Sequence, residues 1–312
     1  MLCSIIIPLY NKASFIEEAL QSIFNQTYQN FEVIIIDDGS TDDGVVRVRA
    51  IKDSRVALVQ QSNAGVSCAR NKGIELAQGD LVCFLDADDW YQPQYLDTII
   101  KMAKCYPELL FFATSYKRVK VTEGTEKYWE VADQCDIEII NDLFHQCRLG
   151  STLFIIDSFA VRRSSLLHFQ PYFPPGEQMA EDQDLYFRLC EKSAFAYCSL
   201  PLAGYRIGIN DSLCATYEGS CLFPAYLRVE QRALNREMPD RLRSSALRMV
   251  AEARISLARN SLMTGQRYQG VKELLGVWRG MVSRRWWVTL AMCVFATPKT
   301  VQRWEHWRNQ KA

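Results

Sequence analysis

Short apolar runs alternate with helical segments through the first hundred residues, and this alternation constrains the fold more than any other feature. Residues 3–8, 31–36, 55–60 and 80–85 are rich in β-branched and other apolar side chains and predict buried strands. Helices are predicted between and after them, the first starting at a capping-box pattern in residues 14–17. Such alternation gives right-handed crossovers, so we predict an α/β protein with a mostly parallel, Rossmann-like sheet flanked by helices.

Three carboxylates occupy four positions directly after the fourth predicted strand. Asp86, Asp88 and Asp89 should lie at the edge of the sheet where parallel strands end and where α/β proteins bind their ligands. Such a cluster repels itself unless a cation lies in it, and carboxylate oxygens are ligands that Mg²⁺ and Mn²⁺ prefer. A solvated acidic turn is the alternative, and this segment alone leaves both interpretations open.

Charge is distributed unevenly along a chain whose formal net charge is zero. Residues 226–312 contain 17 Lys and Arg against 6 Asp and Glu, a net charge of +11, which leaves −11 for residues 1–225. The acidic part argues against nucleic-acid binding, and the basic, Trp-containing part indicates a surface that meets anionic lipid. A solvated helical face is the alternative for the basic part.

The chain beyond residue 222 has the pattern of a helical appendage, so we predict two domains, 1–222 and 223–312. The second includes an Arg-rich helix predicted over residues 225–260. Its apolar run 286–297 is too short to cross a bilayer and should either pack in a core or lie at a membrane interface. The residues expected at that interface are Arg284, Arg285, Trp286, Trp287 and the apolar run behind them.

Neither export nor a disulfide framework is indicated by the sequence. No basic segment with an apolar run opens the chain, and the eleven cysteines contain no pair at metal-ligand spacing. The sequence therefore predicts a cytoplasmic protein with reduced thiols, with a peripheral position on the inner face of the cell membrane if the basic part docks there.

Five motifs occur in order along the chain and carry a resemblance to a known family. They are Ile5-Ile6-Ile7-Pro8-Leu9-Tyr10-Asn11, residues 31–42, Asn63-Ala64-Gly65 with Ala69-Arg70-Asn71-Lys72-Gly73, residues 85–89, and Glu181-Asp182. Together they resemble the family 2 nucleotide-sugar glycosyltransferases of the GT-A fold, over roughly residues 3–210. The resemblance implies an inverting, metal-dependent enzyme that moves one sugar from a nucleoside diphosphate sugar, with UDP as the expected nucleotide. A glycan or lipid-linked precursor in cell-surface polysaccharide biosynthesis is the expected acceptor.

The resemblance also assigns roles to the acids. Asp88 matches the direct metal ligand of a DxD-like motif, Asp86 the acid that contacts the ribose or the metal, and Asp89 is expected to cap the following turn. Asp182 matches the general base, and a helix N-terminus should keep its carboxylate ionised at neutral pH. Asp184, in the same turn, is its competitor.

Binding of the nucleotide is assigned to residues at the same edge of the sheet. Asp38 is suited to accept the imide N–H of uracil, Tyr10 could stack on the base, and Arg70 could pair with a phosphate. The full set of predicted nucleotide-binding residues is Pro8, Tyr10, Asp38, Asn63, Gly65, Arg70 and Asp86.

The sequence departs from the family pattern after Tyr205-Arg206. Gly208 stands where the family often carries a histidine, so a metal ligand or phosphate contact is missing or is supplied by Asn210, Asp211 or water. The Gln-x-x-Arg-Trp motif of processive synthases is absent, which favours single addition. Two other functions are the alternatives: a catalytically silent sugar-nucleotide or glycan-binding module, and an oxidoreductase, which the absence of a Gly-x-Gly-x-x-Gly turn disfavours.

Overall fold

The structure, a computed structural model, describes residues 1–121, 125, 127–132, 136–148, 152–177, 179–209 and 221–309. The chain divides into two units, one of Met1–Leu143 with Thr152–Ala215 and one of Phe144–Ser151 with Thr216–Ala312. The sequence-based domain boundary at 222/223 stays a prediction.

A nine-stranded mixed sheet forms the centre of the first unit. Its strands are β1 (Cys3–Leu9), β2 (Phe31–Asp37), β3 (Val56–Gln60), β4 (Leu81–Phe84), β5 (Trp90–Tyr91), β6 (Phe111–Lys120), β7 (Ile137–Ile140), β8 (Phe159–Arg162) and β9 (Phe195–Ile207). They lie in the order β3-β2-β1-β4-β8-β6-β9-β5, with β7 also paired to β9.

The sheet has a parallel half and a mixed half. Strands β1 to β4 pair in parallel, and β1 and β4 are buried along nearly their whole length, as expected for strands covered on both faces. Strand β8 then runs antiparallel to both β4 and β6, and β5 runs antiparallel to β9. The predicted α/β fold is confirmed, whereas the reversal of direction at β8 was not predicted from the sequence pattern.

The helices up to residue 192 are α1 (Ala13–Phe24), α2 (Gly44–Ala50), α3 (Val66–Leu76), α4 (Tyr95–Cys105), α5 (Leu143–Arg148), α6 (Arg163–Leu166) and α7 (Glu181–Lys192). The predicted capping box of α1 is wrong, since Ser14 lies inside the helix. The Ala13 N–H instead donates to Asp42 Oδ2 at 2.8 Å, so a carboxylate from a distant loop satisfies the helix N-terminus.

Helix α1 shows how the helices attach to the sheet. Ile16, Ala19, Leu20 and Ile23 recur at helical spacing and are completely buried in the core cluster formed with β1 and β2. Burying each of the three large side chains contributes about 1.5–3 kcal/mol.

The second unit is helical, with α8 (Pro224–Leu234), α9 (Asp240–Met263), α10 (Arg267–Leu275), α11 (Arg284–Phe295) and α12 (Pro298–Asn309). The prediction of one helix over 225–260 is wrong, because the chain breaks between α8 and α9. Arg236 has φ 60° there, and Pro239 precedes α9. A proline disfavours helical backbone in the residue before it, which explains the break.

A buried arginine ties three helices of the second unit together. Arg259 on α9 is 2% exposed, and its guanidinium contacts Thr289 Oγ1 at 2.7 Å and Glu305 Oε1 at 3.1 Å. Trp286 on α11 is also buried, and Arg285 pairs with Glu252 at 2.8 Å. Of the predicted membrane contacts, Trp286 thus lies in the interior of this unit, whereas Arg285 is partly exposed.

Two features bear on the environment predicted from the sequence. Among the described residues, no helix has the length and apolar character needed to span a bilayer. Eight of the described cysteines are free thiols, whereas Cys198 on β9 is disulfide-bonded. The expectation that all thiols are reduced is therefore wrong for Cys198.

We predict that Gly204→Ala destabilises the first unit. Gly204 pairs with Trp90 across β5 and β9, and a Cβ at this position would lie 2.2 Å from the Trp90 ring. Because a buried indole has no room to move away, we expect a loss of about 1–3 kcal/mol in the free energy of unfolding, measured by denaturant titration. Gly276→Ala is the control, since its Cβ would meet no atom closer than 3.4 Å. Equal stability of the two variants would show that the β5–β9 contact is looser than described.

Candidate active site

Three carboxylates meet beyond the C-terminal end of β4. Asp86 and Asp89 lie in the loop after β4, and Asp157 lies in the 3₁₀ turn Ile156–Ser158 directly before β8. Because β8 runs antiparallel to β4, the start of β8 lies beside the end of β4. One carboxylate oxygen from each residue lies within 4.8 Å of the others, and we refer to Asp86, Asp89 and Asp157 as the carboxylate cluster.

The ionised state of the carboxylate cluster is destabilised by burial and by repulsion among its members. Asp157 is 1% exposed; its Oδ1 accepts the Asp86 N–H at 2.6 Å, while its Oδ2 is buried without a hydrogen-bond partner. Burial, followed by the charges of neighbouring aspartates, raises the pKa of both Asp157 and Asp89 well above the usual range. A proton or a cation therefore has to offset the charge.

The cluster has the donor chemistry of a site for Mg²⁺ or Mn²⁺. It offers hard carboxylate oxygens, one of them buried and without a donor, and Asp86 remains partly exposed. The carboxylate cluster only partly matches Asp86 and Asp88, the two metal ligands that the resemblance implied. Asp86 belongs to the cluster, whereas Asp88 Oδ2 pairs with Lys12 Nζ at 2.6 Å.

Asp89 does not cap the following turn, so that expectation is wrong. Its Oδ1 accepts the Arg206 N–H of β9 at 2.6 Å. The Arg206 side chain holds the same loop from the other side, since Nε donates to the Asp88 carbonyl at 2.8 Å. The guanidinium lies against the Phe15 and Trp90 rings and pairs with Glu18. The backbone of the acidic loop is thereby fixed to β9.

A buried arginine joins the acidic loop to helix α7. The Arg70 side chain is 3% exposed; one terminal nitrogen contacts Asp86 Oδ1 at 2.7 Å and the other contacts Glu181 Oε1 at 2.6 Å. Their charges raise the pKa of Arg70 further, against the opposing effect of burial. Both terminal nitrogens of the guanidinium thus bind carboxylates, while Nε is buried without a hydrogen-bond partner. A phosphate contact by Arg70 stays a prediction.

Asp182 lies next to this pair, at the start of α7. Burial and the neighbouring Glu181 carboxylate raise its pKa to about 7, while Arg70 opposes the shift. The expectation that the helix N-terminus keeps this carboxylate fully ionised is therefore wrong in direction, because desolvation outweighs the helix. The competitor Asp184 is buried and pairs with Arg188 at 2.7 Å.

The predicted base-recognition residue Asp38 holds two loops together. Its Oδ1 accepts hydrogen bonds from Gln61 Nε2 and Ala64 N, and its Oδ2 accepts one from Gly65 N, each at 2.8 Å. Gly65 has φ 90°, a conformation that glycine adopts without strain, and it precedes α3. An ionised carboxylate accepts about four hydrogen bonds, so Oδ2 keeps capacity for one more donor.

The remaining predicted residues lie at or near the same edge. Pro8 is next to last in β1 and partly exposed, Tyr10 is 48% exposed after β1, and Asn63 is exposed in the loop before α3. Gly208, after β9, has φ 86°, which disfavours the histidine that the family often carries there. The suggested substitutes Asn210 and Asp211 lie outside the described residues.

Sequence reasoning missed Lys12, Asp157 and Arg206 as parts of the site. Lys12 follows Asn11 in the first motif, so its proximity could have been foreseen from the strand order. Asp157 stands in a segment without a recognisable motif, and only the antiparallel pairing of β8 brings it to β4.

The family model described as "Glycosyl transferase family 2" matches residues 4–169, about half of the chain. The chain belongs to glycosyl transferase family 2. The predicted family and class of enzyme are thereby confirmed. The chain is 28% identical to the putative glycosyltransferase EpsH of Bacillus subtilis over 66% of its length and 61% of that protein. It is 44% identical to the uncharacterized glycosyltransferase YibD of Escherichia coli over 32% of its length and 30% of that protein. These alignments cover less than two thirds of each relative.

Solved structures of TarS from S. aureus share the fold. TarS 1–349 gives a TM-score of 0.65 at 19% identity, covering 100% of this chain and 92% of that one. The complex of TarS with UDP-GlcNAc gives a TM-score of 0.61 at 20% identity, covering 96% and 83%. At these identities the likeness establishes the GT-A type of fold.

We predict that Lys12→Met tightens the binding of Mn²⁺ several-fold. The ammonium group competes with a metal ion for Asp88, and a partly exposed ion pair contributes up to about 1 kcal/mol, or roughly fivefold in affinity. Electron paramagnetic resonance of free Mn²⁺ during titration measures the affinity. Lys72→Met, which removes a lysine paired with Glu75 on α3, is the control. Weaker binding by Lys12→Met than by the control would mean that Lys12 supports the metal site.

Proposed function

We propose that the protein is a metal-dependent inverting glycosyltransferase. It takes one sugar from a nucleoside diphosphate sugar, with UDP as the nucleotide, and moves it to a hydroxyl of a glycan or lipid-linked precursor. The observation that carries the proposal is the Arg70 bridge, because it holds the acidic loop and the Glu181-Asp182 turn in one site.

Recognition of the donor is assigned to the loops around Asp38. The free acceptor capacity of Asp38 Oδ2 suits the imide N–H of uracil, and the exposed Tyr10 ring can stack on the base. TarS, which shares the fold, has been solved with UDP and with UDP-GlcNAc. This likeness supports a uridine nucleotide as the first donor to test.

A divalent ion would be held by the acidic loop, with Asp86 and Asp88 as ligands and Asp89 and Asp157 close by. When bound, Mg²⁺ or Mn²⁺ supplies positive charge to the diphosphate as the bond to the sugar breaks. Lys12 then loses its partner on Asp88 and presents its ammonium group to the same region. Arg70 keeps Asp86 in position while its other end holds Glu181.

Asp182 is proposed as the general base. The acceptor oxygen attacks the anomeric carbon from the face opposite the diphosphate, and its proton moves to an oxygen of the Asp182 carboxylate. The bond between the anomeric carbon and the diphosphate oxygen breaks, and the electron pair leaves with the nucleotide. A base whose pKa is close to neutral is ionised in about half of the molecules at pH 7 and is basic enough to accept the proton.

The proposal also states which molecule receives the sugar and where in the cell the protein acts. The absence of the Gln-x-x-Arg-Trp motif supports addition of a single sugar. A glycan or lipid-linked precursor at the cytoplasmic face of a membrane is consistent with the basic part of the chain, as predicted from the sequence. The alternative, a catalytically silent binding module, would not need a near-neutral carboxyl beside the acidic loop.

We predict that Asp182→Asn lowers sugar transfer by about 10²–10⁴-fold and leaves donor affinity nearly unchanged, because only proton removal is lost. In the wild type, kcat/KM should rise with pH up to about 7 and then level off. Asp184→Asn, judged per folded molecule, should retain transfer. Near-normal turnover by Asp182→Asn would remove the assignment.

The same raised pKa predicts a change in stability. An aspartate that titrates at about 7 when folded and at about 4 when unfolded destabilises the fold as pH rises between these values. We therefore expect Asp182→Asn to melt at a higher temperature than the wild type at pH 8, and the difference to vanish below about pH 4. Thermal unfolding monitored by circular dichroism measures it, and a lower melting temperature at pH 8 would contradict the raised pKa.

Removal of the metal should abolish both transfer and the stabilisation by donor. We expect UDP-linked sugars with Mn²⁺ to raise the melting temperature more than other nucleotide sugars, and EDTA to cancel most of that rise. Assays of donor consumption with a crude lipid or glycan acceptor test turnover in parallel. Donor consumption that is unchanged in EDTA would contradict the metal dependence, and donor binding without consumption would favour the silent module.

A further inference from the structure

Helix α11 exposes a row of large apolar side chains within the second unit. Trp287 is 51% exposed, Val288 39%, Val294 57% and Phe295 85%. Positions i, i+1, i+7 and i+8 share one face of a helix, so these residues form a stripe on the side opposite the buried Trp286, Thr289 and Cys293. We call Trp287, Val288, Val294 and Phe295 the apolar stripe.

The polar groups around the apolar stripe are satisfied, which leaves the rings themselves exposed. The Trp287 indole N–H donates to the Met281 carbonyl at 2.8 Å, and Met281 is itself 42% exposed. Arg267 donates to the carbonyls of Cys293, Val294 and Ala296 and so closes the C-terminal end of α11. The helix is thus held rigidly, with its apolar face in contact with solvent. Contiguous apolar surface of this kind marks a site of interaction.

Positive charge borders the apolar stripe. Residues 274–304 contain no Asp or Glu but five Arg and Lys. Arg284 lies at the start of α11 and Lys299 at the start of α12, and both are exposed. The nearest acids along the chain are paired, Glu273 with Arg254 at 3.6 Å and Glu305 with Arg259 at 3.1 Å.

We infer that the apolar stripe, with Arg284 and Lys299 at its ends, docks on an anionic lipid surface. Trp and Phe side chains bury at the boundary between headgroups and acyl chains while basic residues meet anionic headgroups. A second copy of this chain fits less well, because residues 226–312 carry +11 and would meet an equal charge. The inference gives a surface to the membrane location in the proposed function. Of the residues predicted from the sequence to lie at this surface, Trp286 is buried and Arg285 pairs with Glu252, whereas Trp287, Val294 and Phe295 are exposed.

Sedimentation of the full-length protein with lipid vesicles tests the inference. We expect binding to vesicles of phosphatidylcholine mixed with phosphatidylglycerol, weaker binding to phosphatidylcholine alone, and weakening by salt. The double variant Trp287→Ser/Phe295→Ser should partition at least about tenfold less, because two aromatic side chains no longer enter the interface. Arg284→Gln/Lys299→Gln should lose the preference for the anionic lipid.

Leu167→Ser, which alters a side chain that is 56% exposed in the first unit, is the matched control and should bind as the wild type does. Circular dichroism melting establishes that each variant is folded. Equal binding of the wild type and Trp287→Ser/Phe295→Ser would overturn the inference. A second result would also overturn it: the wild type is a dimer in size-exclusion chromatography, this variant is a monomer, and neither binds vesicles.

Failure of this inference and failure of the proposed function can be told apart. Vesicle binding requires no sugar donor, so a protein that binds vesicles but does not transfer sugar contradicts the proposed function alone. Transfer to a detached acceptor without vesicle binding contradicts this inference alone.

Discussion

The buried guanidinium of Arg70 is the contact on which the site depends. Two motifs 95 positions apart in sequence, the acidic loop at Asp86 and the turn at Glu181, are joined by one side chain on α3 that pairs with both. Removing one partner of a buried ion pair costs about 3–5 kcal/mol, since the remaining charge is left without compensation. The same positive charge limits how far the pKa of Asp182 rises. Arg70 thus connects the position of the donor-side acids to the basicity of the proposed base.

The mixed half of the sheet brings residues to the acidic loop that a purely parallel sheet could not place there. The antiparallel strand β8 brings Asp157 beside the end of β4, and β9 brings the backbone N–H and guanidinium of Arg206 to Asp89 and Asp88. Gly204 leaves room for the Trp90 ring, against which Arg206 lies. The acidic loop is therefore held on three sides, by α3, by the turn before β8 and by β9. This framework holds the loop in place, while a proton or a cation offsets the charge of its carboxylates.

Much of the fold and of the candidate site could be predicted from the sequence, because both follow from local patterns. Strands β1 to β4 are short apolar runs, and Asp38, Gly65 and Asp86 stand in motifs that follow them. What escaped prediction depends on contacts between distant segments. Asp42 caps α1 from another loop, Asp157 has no local signature, and the pKa of Asp182 is set by burial that a helix-terminus argument does not contain. In the second unit, the predicted helix over residues 225–260 is two helices, because Pro239 stands between them.

Anomalous diffraction from crystals grown with Mn²⁺ and UDP would test the central claim most directly. The account predicts manganese bound to carboxylate oxygens of the acidic loop and to a diphosphate oxygen, with Arg70 still between Asp86 and Glu181. It also predicts that Lys12 has left Asp88. Nucleotide bound elsewhere, or bound at the loop without manganese while Lys12 stays on Asp88, would contradict it.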